Sequence, residues 1–159
     1  MKVEQLMTKH VSTCTSDAML NEAARIMWER DCGVVPVVGD GAGHRVVGIV
    51  TDRDACMAAY TKGLPLAQIR VGDVMTTHVV SCEAGEDVRA AEKTMRSAQV
   101  HRLPVVDTAG QLVGMISLSD IACAAARGSR SRSQAVTPAA VGETVVAIHK
   151  RREAAAVHS

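Results

Sequence analysis

The chain has 159 residues, of which 47% are hydrophobic, and its formal net charge is +1 at pH 7. The length suits one compact domain or two small halves that share a core, and the near-zero charge favours neither nucleic acid nor a membrane surface as a partner. Aromatic residues make up only 1% of the chain, which argues against the stacking platforms that bind single-stranded nucleic acid.

The five cysteines are widely spaced, and no CxxC pair occurs. An odd number with this spacing argues against a disulfide framework or a zinc knuckle and is typical of buried free thiols in a reducing cytosol. The opening MKVEQLMTKH has no apolar signal core, and no run of about 18 apolar residues is present. We therefore expect a soluble cytoplasmic protein without a metal site.

Most of the chain is an internal repeat. Met7 matches Met75 and Pro36 matches Pro104, in both cases 68 positions apart. After the prolines the spacing falls to 66, because the turn GDGAGHR of the first copy is longer than its counterpart DTAGQ. The predicted parts are repeat 1 at 1–60, a linker at 61–70, repeat 2 at 71–126, and a polar linker with a C-terminal helical tail at 127–159.

Each copy predicts the element order β-α-β-β-α. A short strand comes first, at 11–14 or 79–82, and an amphipathic helix follows, with Asp17 placed to cap the first of these helices. Then come the β-rich run VVPVV or LPVV, a turn, the strand VVGIV or LVGMI, and a second helix from about Asp52 or Leu118. The sequence thus predicts an α/β (α+β) fold with two tandem β-α-β-β-α units plus a C-terminal helix.

The composition changes after residue 126. RGSRSRSQ is polar and basic, and a helical pattern restarts after it, with Thr137 as the N-cap and Pro138 at the first helical position. The apolar face of this helix is predicted to consist of Val141, Val145 and Ile148. Such a face needs a cover, which either the body of the chain or a partner subunit can provide.

The junction between the second strand and the second helix of each copy repeats a hydroxyl residue and an acid, Thr51 with Asp54 and Ser117 with Asp120. Two interpretations stay open. In the structural one, the pair is a capping box that satisfies the first N–H groups of the helix. In the functional one, free N–H groups bind a phosphate, the hydroxyl donates to it, the acid accepts the hydroxyls of a ribose, and Arg53 neutralises the phosphate in the first copy. One hydroxyl oxygen can serve both interpretations.

The prolines at positions 36 and 104 give the other wall of this hypothetical site. A proline inside a strand removes a ladder donor and is typical of an edge or a bulge. An edge beside Val35 or Leu103 makes a slot for an adenine ring. The alternative is that both segments are ordinary core strands.

The segments HRLPVVD, GIVTDRD and GMISLSD, with the openings LMTKHVSTC and VMTTHVVSC, resemble a pair of cystathionine β-synthase (CBS) domains, a Bateman module. The resemblance covers roughly residues 3–126 and is closest to small bacterial two-repeat proteins that carry no catalytic domain. It implies two repeats packed around a pseudo-two-fold axis, with two clefts for adenosyl ligands such as AMP, ADP, ATP, S-adenosylmethionine or NAD. It also implies a homodimer.

The resemblance assigns the acid to the ribose, the hydroxyl to ribose or phosphate, and the residues around the strand proline to the base. The residues assigned to ligand binding are Thr13, Val35, Pro36, Thr51, Arg53 and Asp54 in the first copy, and Ser81, Arg102, Leu103, Pro104, Ser117 and Asp120 in the second. The first copy departs from the family at Gly39, where an aspartate is frequent, and the second copy has Ser119 in the place of the arginine. We therefore expect unequal clefts and favour the one at Asp54 for a charged nucleotide.

We expect a non-catalytic sensor of adenine nucleotides, read by an unknown downstream protein and needing no cofactor. An enzyme is disfavoured because, of the candidates His10, His78 and His101, the first two have no recognisable base–nucleophile partner, and because no metal cluster is visible. The alternative function is a ligand-independent interaction or scaffold protein, linked to nucleic acid through the basic runs RGSRSRS and HKRRE.

Overall fold

The computed structural model describes residues 1–39, 41, 43–127 and 136–156, with side chains described up to residue 149. These residues belong to two compact units. The repeat-1 unit consists of Val11–Val79 and Gly110–Leu112, and the repeat-2 unit of Met1–His10, Val80–Ala109 and the chain from Val113 onward.

The described part of the repeat-1 unit contains three strands and two helices in the predicted order. They are β1 (Cys14–Thr15), α1 (Leu20–Glu29), β2 (Val34–Val38), β3 (Val46–Thr51) and α2 (Asp52–Lys62). Strand β2 lies between the other two, parallel to β1 and antiparallel to β3. Four of its five residues are buried, as expected for a strand covered on both faces.

The second copy repeats this order. Its elements are β4 (Cys82–Glu83), α3 (Val88–Ala98), β5 (Arg102–Val106), β6 (Leu112–Ser117) and α4 (Leu118–Ala126), followed by α5 (Pro138–Ala156). The strand order in this sheet is β4-β5-β6, with β4 parallel to β5. The predicted fold class is therefore confirmed, since two three-stranded sheets and their helices form an α+β fold with a C-terminal helix.

The predicted cap of α1 is wrong. Helix α1 begins at Leu20, and its N-cap, Met19, makes no side-chain cap bond. The preceding residues are used in a turn, in which the Ala18 N–H donates to the Thr15 carbonyl (3.3 Å). In the second copy the equivalent of Met19 is Asp87, which caps α3 by accepting from the Arg89 N–H (2.9 Å), and that bond holds the pKa of Asp87 below its usual range.

The Met–Thr pair that opens each copy forms an isolated β-bridge with the last strand of the other copy. In the repeat-1 unit, Ile49 of β3 and Thr76 exchange two backbone hydrogen bonds of 2.9 Å. Gly48 lies under this crossing, where a Cβ would lie 2.5 Å from the Met75 sulfur. The segment after α2 also joins this core, because Ile69 is 1% exposed. The predicted repeat boundaries and the linker at 61–70 stay a prediction.

In the equivalent crossing of the repeat-2 unit, the backbone oxygen of the other copy comes closer to the glycine. Thr8 and Met115 exchange backbone hydrogen bonds of 2.8 and 3.0 Å. A Cβ on Gly114 would lie 2.8 Å from the Thr8 carbonyl oxygen and 2.7 Å from the Met7 sulfur. The repeated glycine before each strand-to-helix junction is therefore required by the close approach of another backbone.

Helix α5 packs against α3 and α4 within the repeat-2 unit. Its predicted start is confirmed, since the Ala140 N–H donates to the Thr137 hydroxyl (3.2 Å). The predicted apolar face is only partly right. Val141 and Ile148 are buried, but Val145 is 39% exposed.

The buried position between Val141 and Ile148 is Thr144, which lies against polar groups of α3. The Thr144 hydroxyl donates to the buried Glu92 carboxylate, and Arg96 Nε donates to the same hydroxyl (2.9 Å). Arg96 also donates to Glu92 (3.1 Å) and to the Ala140 carbonyl (3.2 Å). These partners rotate the helix so that a threonine, and not Val145, faces the core.

No helix in the described part of the chain has both the length and the apolar composition needed to cross a membrane.

Replacing Gly114 with alanine tests the close crossing. The new Cβ would overlap the backbone oxygen of Thr8, and overpacking of this kind costs roughly 1–3 kcal/mol. We expect the free energy of unfolding, measured by urea denaturation, to fall by that amount. The matched control is Gly142→Ala on α5, where nothing lies within 4 Å of a new Cβ, and it should stabilise by about 0.5–1 kcal/mol. Equal effects of the two substitutions would contradict the role of Gly114.

Candidate ligand-binding site

The strand-to-helix junction of repeat 1 is a complete capping box. The Asp54 N–H donates to the Thr51 hydroxyl oxygen (3.1 Å), and the Thr51 N–H donates to Asp54 Oδ2 (2.9 Å). The Thr51 hydroxyl itself donates to the same Oδ2 atom (2.7 Å). Both side chains are half-buried. Oδ1 of Asp54 accepts no hydrogen bond from any described residue, so one carboxylate oxygen holds the fold and the other is open.

Repeat 2 has the same arrangement. The Ser117 N–H and hydroxyl donate to Asp120 Oδ2 at 2.8 and 2.6 Å, and the Asp120 N–H donates to the Ser117 hydroxyl oxygen (3.2 Å). Again every hydrogen bond that the Asp120 carboxylate accepts from a described residue ends on Oδ2. The structural interpretation of the repeated junction is therefore correct. A ligand at this point must use Oδ1 or displace the hydroxyl.

The expected free N–H groups at the start of α2 are not found. The first four N–H groups, those of Thr51 to Asp54, all have acceptors: Asp54 Oδ2, the Gly33 carbonyl (3.2 Å), Asp52 Oδ1 (2.7 Å) and the Thr51 hydroxyl. Asp52 makes this helix start different from one with free N–H groups, because its side chain accepts a hydrogen bond from the Arg53 N–H. This helix start is closed to an anion unless those bonds rearrange.

The start of α4 is more open. The Leu118 N–H donates to the His101 carbonyl (2.8 Å), which corresponds to the Gly33 bond of repeat 1. Leu118 stands where repeat 1 has Asp52, so no carboxylate caps the next N–H. The N–H of Ser119 has no acceptor among the described residues. Sequence reasoning missed the carbonyls of Gly33 and His101, since a backbone acceptor leaves no side-chain pattern.

The two arginines assigned to ligand binding are both exposed. Arg53 lies in the first turn of α2, and Arg102 is the first residue of β5. Neither forms an ion pair with another described residue. A guanidinium in this condition can bind a phosphate without first breaking a salt bridge.

The residues expected to contact the adenine base are buried in the protein core and do not line an open slot. Val35 and Leu103 are 0% exposed and belong to the two hydrophobic cores, so their side chains offer no open surface. Pro36 is buried as well, but β1 pairs only with the two residues after it. The backbone of β2 at Pro36 therefore has no strand on its β1 side. Pro104 is buried at the corresponding place on β5, where β4 begins one residue later.

The remaining assigned residues precede the short first strands. Thr13 is half-buried directly before β1, and Ser81 is exposed directly before β4. The hydrogen bonds of the described chain bring together Thr51 with Asp54 and Ser117 with Asp120, and the strand register places Val34 opposite Thr51. The other assigned residues lie on neighbouring elements without a bond that joins them to these pairs.

The buried thiols are not poised for chemistry. Burial, aided by the nearby charge of Glu22, raises the pKa of Cys14 to about 11, and burial with the charge of Glu86 raises the pKa of Cys82 to about 12. A thiol with so high a pKa is a poor nucleophile at neutral pH. Among the residues that the structure describes, no group of three or more His, Cys, Asp or Glu side chains is placed to hold a metal ion.

The comparisons with known proteins support the interpretation of the chain as two copies of one unit. The family model for the CBS domain matches residues 3–60 and 71–127. The chain belongs to the CBS domain family. The CBS domain-containing protein YhcV of Bacillus subtilis is 34% identical over 120 residues, which cover 76% of this chain and 82% of that protein. The CBS pair also matches inosine-5′-monophosphate dehydrogenase of Methanocaldococcus jannaschii with 32% identity over 120 residues, but spans only 23% of that enzyme.

A solved CBS domain pair gives the structural counterpart. The CBS domain pair of protein MJ0100, in complex with 5′-methylthioadenosine and S-adenosyl-L-methionine, is 25% identical and superposes with a TM-score of 0.69. The match covers 77% of this chain and 98% of that one. The predicted pair of CBS domains is confirmed, and the chain is a CBS domain pair regulatory module.

Thiol reactivity tests the burial of the cysteines. At pH 8 we expect iodoacetamide to alkylate the exposed Cys56 and Cys123 first. Cys14 and Cys82 should react at least ~10-fold more slowly, because their raised pKa values leave little thiolate, and their rates should rise as the pH approaches 11. Mass spectrometry of digested samples over time measures each site. Equal rates for all four thiols in the folded protein would show that the buried pair is accessible.

Proposed function

We propose that this CBS pair is a non-catalytic sensor that binds an adenosyl nucleotide at its strand-to-helix junctions. AMP, ADP and ATP are the favoured ligands, and S-adenosylmethionine is a further candidate. The observation that supports the proposal most directly is that the two oxygen atoms of each junction carboxylate differ in their hydrogen bonds. Oδ2 is committed to the capping box, whereas Oδ1 has no partner in the described chain.

A ribose suits such a carboxylate. Two adjacent hydroxyl groups can donate to one ionised carboxylate, and bonds to a charged acceptor are stronger than neutral ones. The capping box fixes the carboxylate before the ligand arrives, so little side-chain entropy is lost on binding. The same geometry in both repeats supports two ribose sites of one kind.

The phosphate contacts distinguish the two junctions. At the Asp54 junction the helix N–H groups are taken, and the exposed Arg53 is the group that can neutralise a phosphate. At the Asp120 junction Arg102 is exposed, and the Ser119 N–H is open at the positive end of the α4 dipole. We favour the Asp54 junction for a multiply charged nucleotide, because a full guanidinium charge lies one residue from the acid.

The base is expected to lie along the backbone next to Pro36 or Pro104. The side chains of Val35 and Leu103 form the core behind this backbone, so they shape the strand without touching the ring. The MJ0100 pair, which binds two adenosyl compounds, supports this class of ligand.

The proposed output is a change of conformation or of dimer geometry that a downstream protein reads in the cytoplasm. A ligand can shift that equilibrium only by its difference in affinity for the two states. We expect a homodimer, and no observation of the described chain favours the alternative scaffold function. Its basic runs fall almost entirely among residues or side chains outside the described part of the chain.

The double variant Asp54→Asn/Asp120→Asn tests the carboxylates. Asparagine keeps the size of the side chain and an oxygen that can accept the cap bond, but it lacks the charge that strengthens bonds to ribose hydroxyls. Isothermal titration with AMP, ATP and S-adenosylmethionine should show affinity at least ~10-fold weaker than in the original protein.

The control is Asp52→Asn, which removes one carboxylate charge from the first turn of α2, as the Asp54 substitution does, and should change affinity by no more than about twofold. Failure of every adenosyl compound to bind more tightly than ~1 mM would overturn the proposal. Equal weakening in the control would show that net charge, and not the junction carboxylates, is responsible.

A further inference from the structure

The turn between α3 and β5 lies directly beside the Asp120 junction. The carbonyl of its last residue, His101, accepts the Leu118 N–H at the start of α4 (2.8 Å). The next N–H of that helix, that of Ser119, has no acceptor among the described residues. Arg102, which is proposed to contact a phosphate, follows the turn directly as the first residue of β5. The position of this turn therefore decides where a carbonyl, a guanidinium and the start of α4 lie relative to a ligand.

Helix α5 contacts the same turn at two points. Gln99, the first residue of the turn, donates from Nε2 to the Ala147 carbonyl (3.0 Å). The rings of His101 and His149 meet edge to face, with 5.7 Å between their centroids. The first and the last residue of the turn are thus both attached to one stretch of α5.

Polar contacts with α3 fix the position of α5 along its axis. Thr144 is 0% exposed, and its hydroxyl lies between the Glu92 carboxylate and Arg96 Nε. Hydrogen bonds of this kind tolerate only a narrow range of distances and angles, so they set one register between the two helices. Helix α5 also packs on α4. It therefore bridges the two helices that adjoin the Asp120 junction.

Repeat 1 forms the same turn without these contacts. Asp31 stands 68 positions before Gln99, and both residues have the left-handed backbone conformation, with φ of 49° and 56°. The Gly33 carbonyl accepts the Asp52 N–H (3.2 Å), which is the counterpart of the bond made by the His101 carbonyl. The turn itself therefore does not need α5.

The outer face of the repeat-1 helix pair is uncovered within the described chain. No described helix packs on both α1 and α2 as α5 packs on α3 and α4, and Trp28 of α1 is 89% exposed. The comparison separates the two junctions. The one at Asp120 has a helix attached to its turn, whereas the described chain attaches none to the turn beside Asp54.

The residue type at the start of the turn supports a specific use of the contact with α5. Aspartate is among the residues that favour the left-handed conformation, and glutamine is not. Repeat 1 has Asp31 at this position, whereas repeat 2 has Gln99. The longer amide reaches the Ala147 carbonyl of α5, and that bond offsets the less favourable backbone.

We propose that α5 positions the turn beside the Asp120 junction, with Gln99 as the positioning residue, so that docking of α5 and binding of an adenosyl nucleotide at this junction strengthen each other. The inference rests on the proposed function and adds an element that does not touch the ligand. A ligand that must order a loose turn loses affinity, and α5 orders this turn in advance. Because such coupling is reciprocal, α5 becomes the element through which occupancy of this junction is sensed. The Asp54 junction should show neither effect.

Single-site backgrounds make the two junctions measurable one at a time. Asp54→Asn leaves the Asp120 junction intact, and Asp120→Asn leaves the other. Isothermal titration uses AMP, ATP and S-adenosylmethionine. In the first background, Gln99→Ala should weaken the tightest of the three about 5-fold. In the second background it should change affinity by no more than about twofold. Alanine adopts the left-handed conformation no more readily than glutamine, so the substitution removes the bond to α5 without relieving the backbone.

Asp31→Ala in the second background is the matched control, because it alters the equivalent residue where no contact with α5 exists, and it should change affinity by no more than about twofold. A variant of α5 approaches the same contact from the other side. Thr144→Val removes the hydroxyl that Glu92 and Arg96 hold, and it should cause the same loss in the first background only. Val145→Thr, at the neighbouring exposed position, should have no effect. Circular dichroism confirms that each variant folds.

Hydrogen exchange of the full chain, followed by mass spectrometry, measures the reciprocal effect. A saturating amount of the tightest compound should slow exchange of the α5 amides about 5-fold in the Asp54→Asn background and leave it unchanged in the Asp120→Asn background. The inference is overturned, and the proposed function stands, if the Asp54→Asn protein binds none of the compounds, if Gln99→Ala weakens both backgrounds equally or neither, or if α5 exchange ignores the ligand. If no compound binds even the original protein, both proposals fail.

Discussion

One carboxylate oxygen at each strand-to-helix junction fixes the start of the second helix and thereby the position of the proposed ligand. Oδ2 of Asp54 receives both the backbone N–H and the hydroxyl of Thr51, and Asp120 does the same with Ser117. The capping interpretation and the ligand interpretation thus concern different oxygen atoms of one group. A carboxylate held in this way is rigid before the ligand arrives, which is the condition for strong and specific hydrogen bonds to a ribose.

The glycine that precedes each junction serves a separate requirement. Gly48 and Gly114 let the Met–Thr segment of the opposite copy form a β-bridge with β3 and β6. Helix α5 then makes the two copies unequal, because it covers the helix face of repeat 2 and leaves the face of Trp28 open.

The sequence predicted the order of the strands and helices well, because hydrophobic periodicity and the internal repeat both indicate where they lie. It placed the N-cap of α1 wrongly at Asp17, because the turn before the helix is formed by backbone hydrogen bonds that leave no pattern in the side chains. It also placed Val145 in the core, where the polar partners Glu92 and Arg96 of α3 select Thr144. At the site, the sequence predicted the hydroxyl–acid pairs. It did not predict that Asp52 Oδ1 and the Gly33 carbonyl accept the N–H groups at the start of α2, because these bonds depend on how the folded backbone is placed.

The most direct test is a crystal structure of the protein with AMP bound. The account predicts ribose hydroxyls within hydrogen-bond distance of Oδ1 of Asp54 or of Asp120, with the bond between the N–H of Thr51 or Ser117 and Oδ2 of the same junction intact. A nucleotide that is bound elsewhere on the chain, or one that reaches the carboxylate only by breaking the capping box, would contradict it.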